Sequence, residues 1–324
     1  MSEEVFYTVQ ESERLDVFLS KKLQETRSQI AQLIKKEAVK VDGKKIAKPG
    51  VKLKADQSVH VQLPKVEQKE SYAVDFDVEV LYEDDTLLVL NKPSGLVVHA
   101  APSVFEATLV DWLKQRGVSL STISGEERHG IVHRLDKGTS GVMVVAKTNH
   151  AHQELSKQLE NKTMGRYYLA VIKPPLKEML SVVEKPIARS ANNRIKMGIV
   201  PSGKEAKTAF GLIANSNDEK EQLIACKLFS GRTHQIRVHL ESIGRHIVGD
   251  NLYGGGSKKD ATEQILLHAY VLYLVHPVTK QKMQWVAKYD KNYQDYLEKK
   301  FTRKEIDEKI LPQSITSLFS AFGS

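Results

Sequence analysis

A polar stretch without hydrophobic periodicity, from Leu63 to Ser71, divides the 324-residue chain into two parts and predicts a linker between domains. Before it, apolar residues first recur at helical spacing and then, from Val39, alternate with polar residues. Asp42 and the glycine after it supply a turn between short strands. We therefore predict a small α/β domain over residues 1–66, with two helices followed by a hairpin sheet.

The chain after the linker has many short apolar runs and few helical patterns, without strict alternation of strands and helices. Residues 142–146 are apolar at every position, which is typical of a strand buried on both faces. Helical spacing is clear at 150–161 and 233–243. These features predict an α+β domain over residues 72–305. Residues 306–324 form a predicted tail to which the sequence assigns no role.

Positive charge is concentrated in the small domain. Eleven Lys and Arg residues between positions 21 and 54 oppose three acidic residues, so this segment alone carries the chain's formal net charge of +8. A dispersed mixture of Lys and Glu would serve solubility better, so the concentration predicts a nucleic-acid ligand. The residues that we predict to contact it are Arg27, Lys35, Lys36, Lys44 and Lys45.

The composition argues against several other classes of protein. The single cysteine, Cys226, cannot form an internal disulfide. The acidic start of the chain lacks the apolar region of a secretory signal, and no apolar run reaches the roughly 18 residues that a membrane span needs. We therefore expect a cytoplasmic protein without membrane association.

Metal and nucleotide sites are also not expected. The histidines lack metal-ligand spacing, and His234 and His239 are better explained as hydrogen-bonded structural residues. Residues 198–204 match most of a phosphate-binding loop, but Glu205 follows where a hydroxyl should hold magnesium. The sequence thus predicts no metal site and no nucleotide hydrolysis.

The segment HRLDKGTSG, residues 133–141, is the richest in chemical groups. It places a carboxylate, Asp136, on a glycine-containing turn between apolar runs. Arg134 precedes it by two residues, so both side chains project to one face of an extended chain. A carboxylate beside guanidinium groups stays ionised, as a nucleophile or base requires. An Asp that caps its own turn explains the segment equally well.

Two further segments carry candidate site residues. In GRTHQIRVH, Arg232 and Arg237 flank a predicted helix start, which suits either a phosphate or a catalytic carboxylate. In RYYLA, Tyr167 and Tyr168 face opposite sides of a predicted strand. One of them is expected in the core, whereas the other is a candidate for stacking on a flipped base.

Together these segments closely resemble the ribosomal large-subunit pseudouridine synthase family, in the branch that includes RluA and RluD. Six blocks occur in the family's order between about residues 75 and 290, and the small basic domain resembles the RNA-binding domain that many members carry. The blocks are NKPSGLVVH, HRLDKGTSG, RYYLA, GRTHQIRVHL, IVGDNLYG and LLHAYVLYLVHP. The resemblance implies a pseudouridine synthase fold, with a mixed, mostly antiparallel sheet flanked by helices.

The resemblance also implies roles for individual residues. Asp136 matches the family's essential aspartate, and Arg237 matches the arginine that pairs with it. Tyr168 matches the tyrosine that stacks on the target base, and Arg134 matches an arginine that helps to displace that base. Arg232 is expected to contact RNA. The implied reaction isomerises uridine in structured RNA, most naturally large-subunit ribosomal RNA, by a monomer that needs no cofactor.

Two other functions compete with this interpretation. A non-catalytic RNA-binding or ribosome-assembly factor could keep the same fold and basic domain. A hydrolytic glycosidase breaks the same type of bond, but it needs two carboxylates about 5 to 10 Å apart. Asp250 is the only other acid within the resembling blocks, and nothing in the sequence places it beside Asp136.

The concentrated charge leads to a first prediction. Deleting residues 1–65 should weaken RNA affinity and flatten its salt dependence, because each lost phosphate contact removes about 0.7 to 0.9 from the slope of log K against log salt. Equilibrium binding of ribosomal RNA fragments over a KCl series measures both quantities. Unchanged affinity and slope would show that the basic domain is not a docking surface.

Overall fold

The computed structural model describes residues 4–23, 27–62, 72–101, 104–121, 129–193, 195–254, 262 and 264–322. These residues form two compact units, one that ends at Tyr72 and one that begins at Ala73. The predicted linker, residues 63–71, lies outside the described residues.

The first unit, as far as it is described, packs two helices against a sheet of four strands in the order β1-β4-β2-β3. Val5 and Tyr7 of β1 pack against its core, in which Leu15, Leu19 and Ile34 are fully buried. The predicted helices and hairpin are confirmed, whereas β1 was not predicted because only two of its residues face the core. The elements are β1 (Glu4–Thr8), α1 (Leu15–Leu23), α2 (Arg27–Lys35), β2 (Val39–Val41), β3 (Lys44–Lys45) and β4 (Ser58–Gln62).

The second unit is built on a mixed sheet that has ten strands in the described part of the chain. The order is β5-β6-β7-β15-β8-β13-β12-β9, with β14 on β8 and β16 on β15. Its strand pairs there are antiparallel except β7 with β15, which confirms the predicted α+β class. The sheet strands are β5 (Glu79–Glu83), β6 (Leu87–Lys92), β7 (Ser140–Ala146), β8 (Gly165–Lys173), β9 (Leu180–Glu184), β12 (Lys207–Asn215), β13 (Gln222–Leu228), β14 (His246–Ile247), β15 (Leu267–Val275) and β16 (Lys282–Val286).

Helices cover both faces of this sheet, and a separate hairpin pairs β10 with β11. The alternating side chains of β8 divide between two buried clusters: Tyr168 and Ala170 belong to one, Tyr167 and Leu169 to the other. This alternation confirms that the two tyrosines face opposite sides. The remaining elements are β10 (Ile187–Arg189), β11 (Met197–Ile199), α3 (Leu109–Gln115), α4 (Asn149–Asn161), α5 (Gln235–Glu241), α6 (Lys291–Lys300), α7 (Arg303–Asp307) and α8 (Pro312–Leu318).

The end of the chain, to which the sequence assigned no role, covers the second face of the sheet. Ile306, Ile315 and Phe319 are buried there, and the ring of Phe319 stacks on Tyr167 with a centroid separation of 5.8 Å. The apolar residues of this weakly patterned segment therefore pack against the face of β8 that carries Tyr167. They keep that strand buried on both sides.

The turn that carries Asp136 is held by the backbone around it. The Asp136 carbonyl accepts a hydrogen bond from the Thr139 N–H (3.0 Å), and the Lys137 carbonyl accepts one from the Gly95 N–H (2.8 Å). The buried ammonium of Lys92 donates to the carbonyls of Pro93 and Leu96, each at 2.8 Å. The NKPSG loop and the HRLD turn are therefore braced against each other.

Gly141, at the start of β7, is the point of closest backbone approach in this region. Its φ is +115°, and a Cβ atom there would collide with the carbonyl of Ala269 in β15. Only glycine therefore allows β7 and β15 to pair directly after the Asp136 turn.

We expect Gly141→Ala to lower the free energy of unfolding by about 3 kcal/mol or more, because strain and overpacking add. Gly117→Ala is the matched control, since Gly117 also has a positive φ (+69°) but open space around it. That variant should lose only about 1 kcal/mol. Urea denaturation measures both, and equal losses would contradict the steric argument.

Candidate active site

A cavity of about 640 Å³ opens on the Tyr168 face of the second unit. It is lined by the HRLD turn, the start of β8 and the loop from β13 into α5. Five predicted site residues lie in its wall: Arg134, Asp136, Tyr168, Arg232 and Arg237. The fold thus brings together three segments that are far apart in the sequence.

The Asp136 carboxylate and the Arg237 guanidinium face each other in this cavity. Asp136 Oδ2 lies 3.5 Å from Arg237 Nη1, and the two side chains are 20% and 12% exposed. The carboxylate therefore reaches the solvent of the cavity while its partner is nearly buried.

Asp250 holds the other edge of the same guanidinium. Its two oxygens accept bonds from Arg237 Nε (2.7 Å) and Nη2 (2.8 Å). Asp250 Oδ1 also accepts from the backbone N–H groups of Leu252 and Tyr253, each at 3.0 Å. Burial alone would lower the pKa of Arg237, but its bonds to Asp250 and the charge of Asp136 raise it. Arg237 is therefore a permanent cation in a fixed orientation.

His234 lies closer to the catalytic candidates than the sequence indicated. It precedes α5 with a φ of +57°, and its Nε2 is 3.9 Å from Asp136 Oδ2. Its Nδ1 contacts the Tyr253 hydroxyl (2.9 Å), which accepts a bond from the Met197 N–H (2.8 Å). The Tyr253 hydroxyl also lies 3.3 Å from the Met197 carbonyl, so its proton has two acceptors within reach, and the ring of His234 presents Nε2 toward Asp136.

The other histidine of that segment has the structural environment that the sequence predicted. His239 is fully buried, with Nδ1 2.9 Å from Thr208 Oγ1 and Nε2 3.1 Å from the Lys185 carbonyl. Its two ring nitrogens thus face a hydroxyl and a carbonyl, whereas His234 faces a carboxylate. The two histidines differ in backbone conformation, since His234 has a positive φ, which the sequence does not show.

Tyr168 is buried in β8, between Cys226 of β13 and Ala269 of β15. Burial raises the pKa of Tyr168, so its hydroxyl keeps its proton at neutral pH. The residue can therefore present a ring face or donate a proton, but it is not a ready base without a partner.

Two arginines lie at the mouth of the cavity. The exposed Arg134 approaches His99, with 3.4 Å between Nη1 and the ring Nε2. Arg232 is exposed as well, and its Nε donates to the Glu205 carbonyl (3.0 Å). Both guanidinium groups therefore have N–H groups at the entrance of the cavity, where they can bind an anion.

The remaining predicted RNA contacts belong to the first unit. Lys35, Lys36 and Lys44 are exposed. Lys45 pairs with Glu37 (3.0 Å), and Arg27 pairs with the buried Asp16 (2.8 Å). Arg27 thus has a structural partner in addition to its predicted role. The exposed Lys45–Glu37 pair contributes little stability, so phosphate can compete for Lys45.

The described residues include neither a metal cluster nor a membrane-spanning helix. Within these ranges, no group of three His, Cys, Asp or Glu side chains is arranged to hold a metal ion. None of the helices found there combines the length and apolar character that crossing a bilayer would require.

Comparison with known proteins identifies the family. Residues 86–242 match the model described as RNA pseudouridylate synthase, and residues 13–59 match the S4 domain. An uncharacterized RNA pseudouridine synthase of Helicobacter pylori is 43% identical over 98% of this chain and 99% of its own length. The chain belongs to the RNA pseudouridine synthase family. The synthase is therefore an isomerase that acts on RNA, and the predicted resemblance is confirmed.

Other relatives of the synthase agree. Ribosomal large subunit pseudouridine synthase D of Nitrosomonas europaea is 37% identical over 84% of this chain and 80% of its own length. Human RNA pseudouridylate synthase domain containing 1 superposes with a TM-score of 0.54 at 24% identity, over 66% of this chain and 84% of its own. At that identity the human structure supports the shared fold.

Family membership decides against the two competing functions. Asp250 cannot serve as the second carboxylate of a glycosidase, because its side chain is 0% exposed and both its oxygens are engaged. Glu160, which also lines the cavity, is a solvent-exposed residue of α4.

The buried Asp250 gives a testable result. Asp250→Asn keeps the side-chain shape but cancels the charge opposite Arg237, so we expect the free energy of unfolding of the synthase to fall by about 3 kcal/mol. Asp85→Asn, at an exposed position of the same unit, is the control and should change it by less than about 0.5 kcal/mol. Urea denaturation distinguishes these results, and indistinguishable variants would show that Asp250 does not anchor the arginine.

Proposed function

We propose that the synthase converts uridine to pseudouridine in large-subunit ribosomal RNA, with the Asp136 carboxylate acting on the ribose of a flipped-out nucleotide. The observation that carries the proposal is the Asp136 carboxylate in the cavity wall, 3.5 Å from the fixed cation of Arg237. Relatives named ribosomal large subunit pseudouridine synthase D support the choice of RNA.

The isomerisation breaks the N1–C1′ bond, turns the detached uracil and rejoins it through C5. In one route Asp136 attacks C1′ and is later displaced by C5. In the other it removes the C2′ proton to give a glycal, and returns that proton to C2′ as C5 adds to C1′. Either route needs an ionised carboxylate at the sugar, and in both C5 finally loses a proton while N1 gains one.

Arg237 serves both routes in the same way. Because its guanidinium is positive and is held by Asp250, it places a fixed positive charge 3.5 Å from the Asp136 carboxylate. Extrusion of the base from the helix stack costs a few kcal/mol. Arg134 is positioned to offset this cost at the cavity mouth, and the ring of Tyr168 supports the extruded uracil.

Asp136→Asn tests the proposal directly. The amide is nearly isosteric but cannot act as nucleophile or base, so we expect pseudouridine formation to slow by roughly 10²–10⁴-fold. RNA affinity and the free energy of unfolding should stay close to those of the wild type. Tritium release from RNA labelled at uridine C5 measures the rate, and full activity in this variant would contradict the assigned role.

Asp85→Asn is the matched control for this assay, because it makes the same chemical change at an exposed turn away from the cavity. The choice of RNA is tested separately in cells that lack the protein. Pseudouridines missing from their large-subunit ribosomal RNA should return with the wild-type chain and stay absent with Asp136→Asn. An unchanged map would refute this substrate while leaving the chemistry at Asp136 intact.

A further inference from the structure

A row of four side chains crosses the outer face of the small sheet in the first unit. Strand register pairs Phe6 of β1 with His60 of β4, His60 with Lys40 of β2, and Lys40 with Lys45 of β3. The intervening residues, such as Val59 and Val61, are buried on the opposite face. The row therefore lies entirely on the side of the sheet that faces away from the core.

One end of the row is an aromatic platform. The rings of Phe6 and His60 are 4.4 Å apart and inclined by only 4°, so they are stacked. Phe6 is nevertheless 66% exposed, because only one of its ring faces is covered by His60. Because the Phe6 ring is mostly exposed, it contributes little hydrophobic stabilisation to the fold. Stacking on His60 nevertheless fixes the orientation of the ring. The uncovered face is the size and shape that a nucleobase needs for stacking.

The other end of the row is cationic. Lys40 is half-buried and Lys45 is exposed, in the segment that concentrates the chain's positive charge. Two acids lie near the row: Glu37 pairs with Lys45 at 3.0 Å, and Glu4 Oε2 is 3.3 Å from His60 Nε2. Because exposed pairs are weak, RNA phosphates can replace Glu37 at Lys45.

We propose that this face binds an unpaired stretch of RNA, with one base stacked on Phe6 and the following phosphates along Lys40 and Lys45. An aromatic platform beside a basic track is the general arrangement for binding unpaired strands, and four-stranded sheets of other RNA-binding domains stack bases on their outer faces. The matched S4 region, residues 13–59, contains both lysines but not Phe6 or His60. The platform is thus an addition to that region, and the inference goes beyond the reaction at Asp136.

Phe6→Leu and Phe6→Trp in the full chain test the platform. Leucine keeps apolar bulk but removes the ring, so we expect the Kd for an unstructured oligouridylate to rise about tenfold or more. Tryptophan restores a ring and should bind as tightly as the wild type or more tightly. Fluorescence anisotropy of labelled RNA gives both constants, and thermal unfolding checks that the variants are folded.

A fully paired RNA duplex is the matched probe, since it has no base available for stacking. Its Kd should change by less than about twofold in Phe6→Leu, whereas Lys40→Gln and Lys45→Gln should each lower the salt slope for the single strand by about 0.7. Unchanged oligouridylate binding in Phe6→Leu would overturn the proposal. So would equal losses in both Phe6 variants, or equal losses for strand and duplex. Because this assay measures binding without turnover, none of these outcomes bears on Asp136.

Discussion

The guanidinium of Arg237 lies between two carboxylates, and the organisation of the active site depends on this arrangement. Asp250 binds one edge of the guanidinium through Nε and Nη2, at 2.7 and 2.8 Å, which leaves Nη1 for Asp136 at 3.5 Å. One acid therefore fixes the cation, and the other faces it across the cavity. Because Asp250 is itself anchored by backbone N–H groups, the charge pattern exists before RNA arrives. In the proposed mechanism, the binding energy of RNA is then available for extruding the base, since little is needed to organise the protein.

Much of this site could be predicted from the sequence. Asp136, Tyr168 and Arg237 lie in separate blocks with a distinctive order, and the structure places all three in the wall of one cavity. The alternation of side chains along a strand was enough to predict that Tyr167 and Tyr168 lie on opposite faces of the sheet. The class of the fold followed from the mixture of short apolar runs and few helices. These predictions rest on local periodicity and on motifs, which the sequence shows directly.

The missing parts depend on long-range geometry. The sequence does not indicate that Asp250 binds Arg237, because that contact joins α5 to the loop after β14. The left-handed backbone of His234, which points its ring toward Asp136, cannot be predicted from the residue type, since only a few per cent of non-glycine residues adopt it, although histidine does so more often than most. The end of the chain reads as polar and weakly apolar, yet Ile315 and Phe319 complete a core whose other side is β8. Burial of isolated apolar residues becomes visible only when their tertiary partners are known.

The position of β15 has a consequence for how the enzyme is made. This strand, Leu267–Val275, lies between β7 and β8 and joins the strand after Asp136 to the strand that carries Tyr168. Its pairing with Ser140 and Gly141 spans more than a hundred positions of chain. A nascent polypeptide emerging from a ribosome therefore cannot close its catalytic centre until nearly all of it has been translated. The basic first unit, whose contacts are local, can fold much earlier. A growing chain therefore has a folded nucleic-acid-binding unit before its active site is complete.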